Sequence, residues 1–266
     1  MMLVDSHCHL DYPPLADDLP GVLARARTAG VGALLTIGTK LKDFERVRML
    51  AEAHPEIWCS VGIHPHEAQN EVADAAKLVT LARHPRVVGI GETGLDYYYD
   101  KSPREQQRAN FRAHMRAAIE AGLPLIVHTR DADQDTGDML AEAAAAVGRR
   151  LKGVLHCFTS TRALAERAIE LGLHISISGI VTFKNAEDLR LTVKALPLDR
   201  LLVETDSPYL APVPVRGKPC EPAFVAYTAA KVAELKGIAP EELARATTAN
   251  FYALFDRAQA PHPAGS

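Results

Sequence analysis

Eight short apolar runs, spaced roughly thirty residues apart, constrain the fold of this chain more than any other feature. They are Leu3–Asp5, Val31–Ile37, Ile57–Ile63, Val87–Glu92, Leu123–His128, Gly153–His156, His174–Ile177 and Leu201–Glu204. Most are continuous rather than alternating, as in strands of a parallel sheet covered on both faces. Parallel neighbours cannot be joined by tight hairpins, and the gaps carry helical signals that supply the crossovers. Ser102-Pro103-Arg104-Glu105 reads as a helix start with Ser102 as the N-cap. From there to Ala121, Phe111, Met115, Ala118 and Ile119 share one face, and Gly122 marks the stop. Gly30, Gly148, Gly172 and Gly237 mark further stops. Eight strands alternating with helices over about 250 residues predict an α/β fold, a (β/α)8 TIM barrel. The expected boundaries are a single domain over residues 1–256 and a flexible tail over 257–266. The alternative, an open doubly wound sheet, is disfavoured because no glycine-rich phosphate loop follows any run.

The polar residues gather where such a barrel has its mouth. Six of the eight runs end at or just before His, Glu or Asp: His7 and His9; His64 and His66; Glu92 and Asp96; His128; His156; Glu204 and Asp206. Strand C-termini converge at one end of a barrel. Residues two apart on a strand point the same way, so His7 and His9 can aim together at one ion. Strand eight closes against strand one, which brings Glu204 and Asp206 opposite that pair. Imidazole and carboxylate together suit Zn2+, Mn2+ or similar ions. The other histidines, His54, His84, His114, His174 and His262, read as capping, packing or solvent-facing residues. Cys8 and Cys157 each sit one residue out of step with a histidine and are expected to pack away from the site. No G-x-S-x-G elbow supports a serine nucleophile.

Charge narrows the partners. The net charge of −3 and pI of about 6.4 argue against a broad basic face for nucleic acid, though not against a local basic rim. Four cysteines without C-x-x-C spacing, no leader pattern and no run of ~18 apolar residues point to a cytoplasmic protein with no membrane partner.

Six motifs carry a resemblance: Asp5-Ser6-His7-Cys8-His9-Leu10-Asp11, Gly62-Ile63-His64-Pro65-His66, Gly91-Glu92-Thr93-Gly94-Leu95-Asp96-Tyr97, His128-Thr129-Arg130-Asp131-Ala132, His156-Cys157-Phe158, and the stretch 204–212 opening Glu204-Thr205-Asp206-Ser207-Pro208. In this order they resemble the TatD-like metal-dependent deoxyribonucleases of the amidohydrolase superfamily. The resemblance implies two divalent ions (Zn2+, Mg2+ or Mn2+). His7, His9 and Asp206 would hold one, His128 and His156 the other, and Glu92 would bridge. Glu92 stands where related barrels often use a carboxylated lysine, which disfavours a phosphotriesterase or dihydroorotase. The implied reaction is hydrolysis of DNA phosphodiesters, as a 3'-5' exonuclease on single-stranded or end-bound DNA by a monomer. A water activated by the dinuclear centre would attack phosphorus, with Asp206 accepting its proton and Glu92, Glu204 and His64 as further active-site groups.

Expected substrate contacts are His64, His66, Arg130, Arg216, Lys218 and Tyr97. For Tyr97, Tyr98 and Tyr99, base stacking and loop packing stay open alternatives. The loop after strand eight reads Arg216-Gly217-Lys218-Pro219-Cys220-Glu221-Pro222, where the family has approximately R-G-K-R-N-E-P. Pro219 and Cys220 thus replace an Arg-Asn pair, and one phosphate-neutralising charge is missing. Two other readings compete: an amide or ester hydrolase on the same scaffold, such as an aminoacyl-tRNA deacylase, and a non-catalytic metal-bound nucleic-acid-binding module.

Overall fold

The computed structural model describes residues 2–259. Its strands are β1 (Leu3–Cys8), β2 (Val31–Thr36), β3 (Ile57–Val61), β4 (Val87–Asp96), β5 (Leu125–Arg130), β6 (Gly153–Leu155), β7 (His174–Ile177) and β8 (Leu201–Val203). All neighbouring pairs are parallel and follow sequence order in one eight-stranded sheet. The ring closes through a single bridge, Cys8 to Ser207, supported by Asp206 N–H donating to the His7 carbonyl (2.9 Å) and His9 N–H to the Ser207 carbonyl (2.8 Å). The fold is therefore the expected (β/α)8 barrel.

Helices α1 (Leu19–Thr28), α2 (Phe44–Ala53), α3 (Ala75–Leu81), α4 (Arg104–Ala121), α5 (Asp133–Val147), α6 (Arg162–Glu170), α7 (Glu187–Ala195), α8 (Val225–Lys236) and α9 (Pro240–Leu254) cover the outside and the floor. Gly122, Gly148 and Gly237 end α4, α5 and α8 in the left-handed conformation, as expected. The start of α4 differs from expectation. Pro103 occupies the cap position, and the Ser102 hydroxyl instead donates to the His66 carbonyl (2.9 Å) and accepts from Gln69 N–H (3.1 Å). Ser102 therefore ties the β3–α3 connection to α4 rather than capping the helix.

Two apolar layers result. The larger lies between strands and helices, where Val61, Ile90, Val127 and Ile177 meet Leu78, Phe111, Leu140 and Val193. The smaller lies inside the ring: Val4, Ala33, Leu35, Trp58, Val88, Ile126, Val154 and Leu202, from seven strands, close on Phe251, Leu254, Phe255 and Ala258. Helix α9 turns under the barrel so that Phe251 and Phe255 plug its floor. Residues 257 and 258, expected in a flexible tail, pack against the barrel instead: Ala258 is buried and Arg257 Nη1 donates to the carbonyls of Ala82 (2.5 Å) and Val87 (2.9 Å). Residues 260–266, including His262, lie outside the described residues.

Candidate metal centre

Above the apolar floor, the strand ends carry charge. Glu92, midway along β4, is the hub: its Oε1 lies 2.7 Å from His156 Nε2, 3.2 Å from His128 Nδ1 and 3.2 Å from His64 Nε2. Its Oε2 lies 3.4 Å from His7 Nε2. Gly91 and Gly94 flank this position with φ of +138° and +136°, and a Cβ on either would collide with a carbonyl of β5, of Ile126 or His128. The G-E-T-G spacing thus lets β4 approach β5 closely with a carboxylate at the crossing.

Asp206 Oδ1 lies 3.4 Å from His9 Nε2 and 3.7 Å from His7 Nε2. The His7 ring stacks on His156 at 3.8 Å between centroids, and His7 and His9 sit edge to face at 5.2 Å. Glu204 accepts the Cys157 N–H through Oε1 (2.7 Å), and that oxygen lies 3.4 Å from His156 Nδ1. Behind the site, Asp5 accepts from the amide (2.9 Å) and hydroxyl (2.6 Å) of Thr205, bracing β1 against β8; burial pushes its carboxyl up to about 8.

Three groups of side chains hold their ligand-type atoms within 4.8 Å of one another: His7 with His156 and Asp206; His7 with His9 and Glu92; His64 with Glu92 and His128. Both nitrogens of His7, and Nδ1 of His9 and of His156, are buried without a hydrogen-bond partner, as is Glu204 Oε2. Leaving that many polar atoms unpaired is costly unless something else satisfies them. A cation would, and an all-imidazole and carboxylate donor set fits one such as Zn2+ or Mn2+. The titration behaviour agrees. Burial, with the neighbouring His156, depresses His7 and favours the neutral imidazole that a metal requires. Burial opposes charge on Glu92, but His156 and His64 outweigh it and hold its carboxyl well below the usual range. Burial likewise opposes the charge on His156, yet Glu92 and Glu204 hold it protonated well above the ordinary value, so a positive charge is favoured here. The expected division of ligands is only partly visible, since His7 stacks on His156 rather than standing apart with His9 and Asp206.

His9, His64, Glu92, His128, His156 and Asp206 line a cavity of about 850 Å3. Its wall carries Lys40, Lys101 and Arg130 together with Tyr12, Tyr99 and Tyr209. The Arg130 guanidinium lies 4.0 Å over Tyr98 and 4.7 Å over Tyr99, and Lys101 faces Tyr99 from the other quarter. His64 is a donor: its Nδ1 accepts the His66 N–H (3.1 Å), which leaves the hydrogen on Nε2, toward Glu92. Burial pushes the His64 imidazole down to about 4.

Several expected site residues stand elsewhere. Tyr97 turns away: its hydroxyl donates to Asp135 (2.5 Å), receives Arg108, and its ring is covered by Arg104. Arg216 stacks on Phe183 at 3.9 Å and, like Lys218, lies outside the cavity wall on an exposed loop. Cys8 packs into the strand–helix layer as expected, its thiol on the Leu35 carbonyl (3.4 Å), whereas half-buried Cys157 lines the cavity. A left-handed turn at Cys157, φ +43°, takes it out of strand register, so the alternation rule fails there.

Asp96, which the sequence marks as a strand-end acid without assigning it a role, is a functional candidate in the structure. Its Oδ2 lies 2.8 Å from His66 Nε2 and 3.1 Å from His128 Nε2. Lys40, Lys101, Tyr12 and Tyr209 came from loops, where no periodicity marks direction.

A family model described as TatD related DNase matches residues 4–256. An uncharacterized metal-dependent hydrolase of Escherichia coli, YcfH, is 48% identical over 258 residues, covering 96% of each chain. A protein of Citrobacter koseri named 3'-5' ssDNA/RNA exonuclease TatD is 38% identical over 262 residues, covering 95% of this chain and 98% of that one. The crystal structure of YJJV, a TatD homolog of Escherichia coli, superposes with a TM-score of 0.87 at 31% identity, covering 96% of this chain and 98% of that one.

Proposed function

We propose, from the premise that the chain belongs to the family of TatD-related DNases and is a metal-dependent hydrolase, that it cleaves phosphodiester bonds of single-stranded or frayed DNA from an end. The observation that carries this reading is one cavity with two kinds of wall. Its base gathers His9, Glu92, His128, His156 and Asp206, with His7 buried directly behind Glu92, while its rim holds Lys40, Lys101 and Arg130 among tyrosines.

In this reading His7, His9, His128, His156, Glu92 and Asp206 hold two divalent ions. Such ions, when bound, polarise a phosphoryl oxygen and make water acidic. The remaining work belongs to side chains. Asp206, at the open side of the cluster, receives a proton on Oδ1, next to His9. His64 donates its neutral Nε2–H to Glu92 and so orients that carboxylate, and its low basicity keeps it a donor without adding a positive charge that would repel an ion. Glu204 holds the backbone at Cys157 and thereby the ring of His156. Arg130, stacked on Tyr98 and Tyr99, offers phosphate and base contacts from one rigid platform. A cavity of about 850 Å3 has room for a nucleotide terminus.

The test uses end-labelled single-stranded DNA with Zn2+-, Mn2+- or Mg2+-loaded protein, with and without chelator, beside Asp206→Ala and His128→Ala. The expected result is chelator-sensitive release of mononucleotides, lost in both variants. Absence of DNA turnover with every ion, alongside hydrolysis of amides or carboxylic esters, overturns the reading.

A further inference from the structure

Asp96 is a fully buried carboxylate at the end of β4, and its two oxygens face different structures. Oδ1 accepts the backbone N–H groups of Tyr98 (3.1 Å) and Tyr99 (2.8 Å), closing the turn that carries the tyrosine platform. Oδ2 meets the Nε2 atoms of His66 (2.8 Å) and His128 (3.1 Å). The residue itself is clamped by a buried amide: Gln107 Oε1 accepts the Asp96 N–H (2.8 Å), and Gln107 Nε2 donates to the carbonyls of Asp96 (3.2 Å) and Ser102 (2.8 Å). A carboxylate without its proton can only accept, so both imidazoles must present Nε2–H to it. For His128 that places a hydrogen on the nitrogen away from the cluster, so Nδ1, 3.2 Å from Glu92 and 3.4 Å from His156 Nε2, is the nitrogen left to an ion.

We propose that Asp96 is the positioning residue that makes His128 a metal ligand through Nδ1 while the same side chain fixes the Tyr98–Tyr99 turn. A carboxylate on the far nitrogen of a ligating imidazole sets its tautomer and raises its basicity. The assignment rests on the reading of His128 as a ligand. It goes further in giving one buried carboxylate control over both the ion site and the adjoining wall.

The two oxygens allow the roles to be separated. In Asp96→Asn the amide oxygen can still accept from Tyr98 and Tyr99, so a purely structural role survives. The amide nitrogen, however, can only donate toward His128 Nε2, which forces the hydrogen onto Nδ1 and blocks ligation. Zn2+ affinity, measured by chelator competition without substrate, should fall by about 10- to 100-fold in Asp96→Asn. In a His128→Ala background the same change should have no further effect, because the residue acts through His128. An unchanged affinity in Asp96→Asn, or an equal loss in both backgrounds, overturns the proposal. Histidine nitrogen NMR of the metal-free parent protein tests it without any variant: a hydrogen on His128 Nε2 is expected, and a bare Nε2 overturns it. A parent protein that takes up no Zn2+ would instead overturn the proposed function, and this proposal with it.

Discussion

The two ends of one barrel are built on opposite terms. At the floor, seven strands and α9 bring together aliphatic and aromatic side chains that satisfy each other by contact alone. At the mouth, a few residues further along the same strands, buried imidazoles and carboxylates crowd together with several polar atoms left unpaired. Only the first arrangement stabilises a chain without help. The second costs stability and persists where something binds it, so the contrast along a single strand separates what folds the molecule from what it does.

The sharpest way to break this comparison is Glu92→Gln. It removes the hub charge that faces four imidazoles, and hydrolysis should fall by about 10^3- to 10^4-fold. Thermal stability of the metal-free protein should fall only modestly, because the imidazoles that favour the Glu92 charge can shed their own protons once it is gone; a drop as large as that from a core truncation would mean that the mouth, too, is structural. Phe255→Ala is the mirror experiment. It should cost about 3–5 kcal/mol in chemical denaturation while leaving kcat per folded molecule unchanged.

His114 offers an intermediate case, an imidazole near the mouth that is fully paired. Ile63 N–H donates to its Nε2 (2.9 Å) and its Nδ1–H donates to the Asn110 carbonyl (2.7 Å), so α4 grips the chain one residue before His64. Burial pushes this imidazole down to about 4. The folded protein therefore keeps it neutral to about pH 4, while the unfolded chain protonates near 6.5. The unfolded state binds the proton first, so stability falls as pH drops through that window, by roughly 3 kcal/mol at most. His114→Gln should flatten this slope in urea melts at pH 4 to 7; an unchanged slope would assign it to other groups, such as His174. The smallest effect distinguishes the two arginine stacks. Arg130→Ala should raise KM for single-stranded DNA by about 5- to 10-fold. Arg216→Ala, on Phe183 outside the cavity, should change it by less than about 2-fold.

How much could be read beforehand follows the same division. Strand order and the placing of His7, Glu92, His128, His156 and Asp206 were legible because a parallel barrel converts linear spacing into a ring of strand ends. The structure places Tyr97 and Arg216 off the cavity wall and Cys157 on it, all three where the chain leaves periodic structure. Three adjacent tyrosines carry no sign of which one turns inward, and the φ of +43° at Cys157 reverses what alternation predicts. Ser102 was misread because its hydroxyl found partners in a distant loop rather than at its own helix.

The bond from Asp206 N–H to the His7 carbonyl joins residues at nearly opposite ends of the sequence. During synthesis the first histidines emerge about two hundred residues before the last acidic partner. Until β8 docks, no nascent intermediate holds the full ligand set, so a growing chain carries no competent hydrolytic centre. Contacts of such long separation form late and limit folding rate. Uptake of an ion would therefore act as a latch on the final step, drawing the closed ring forward by mass action.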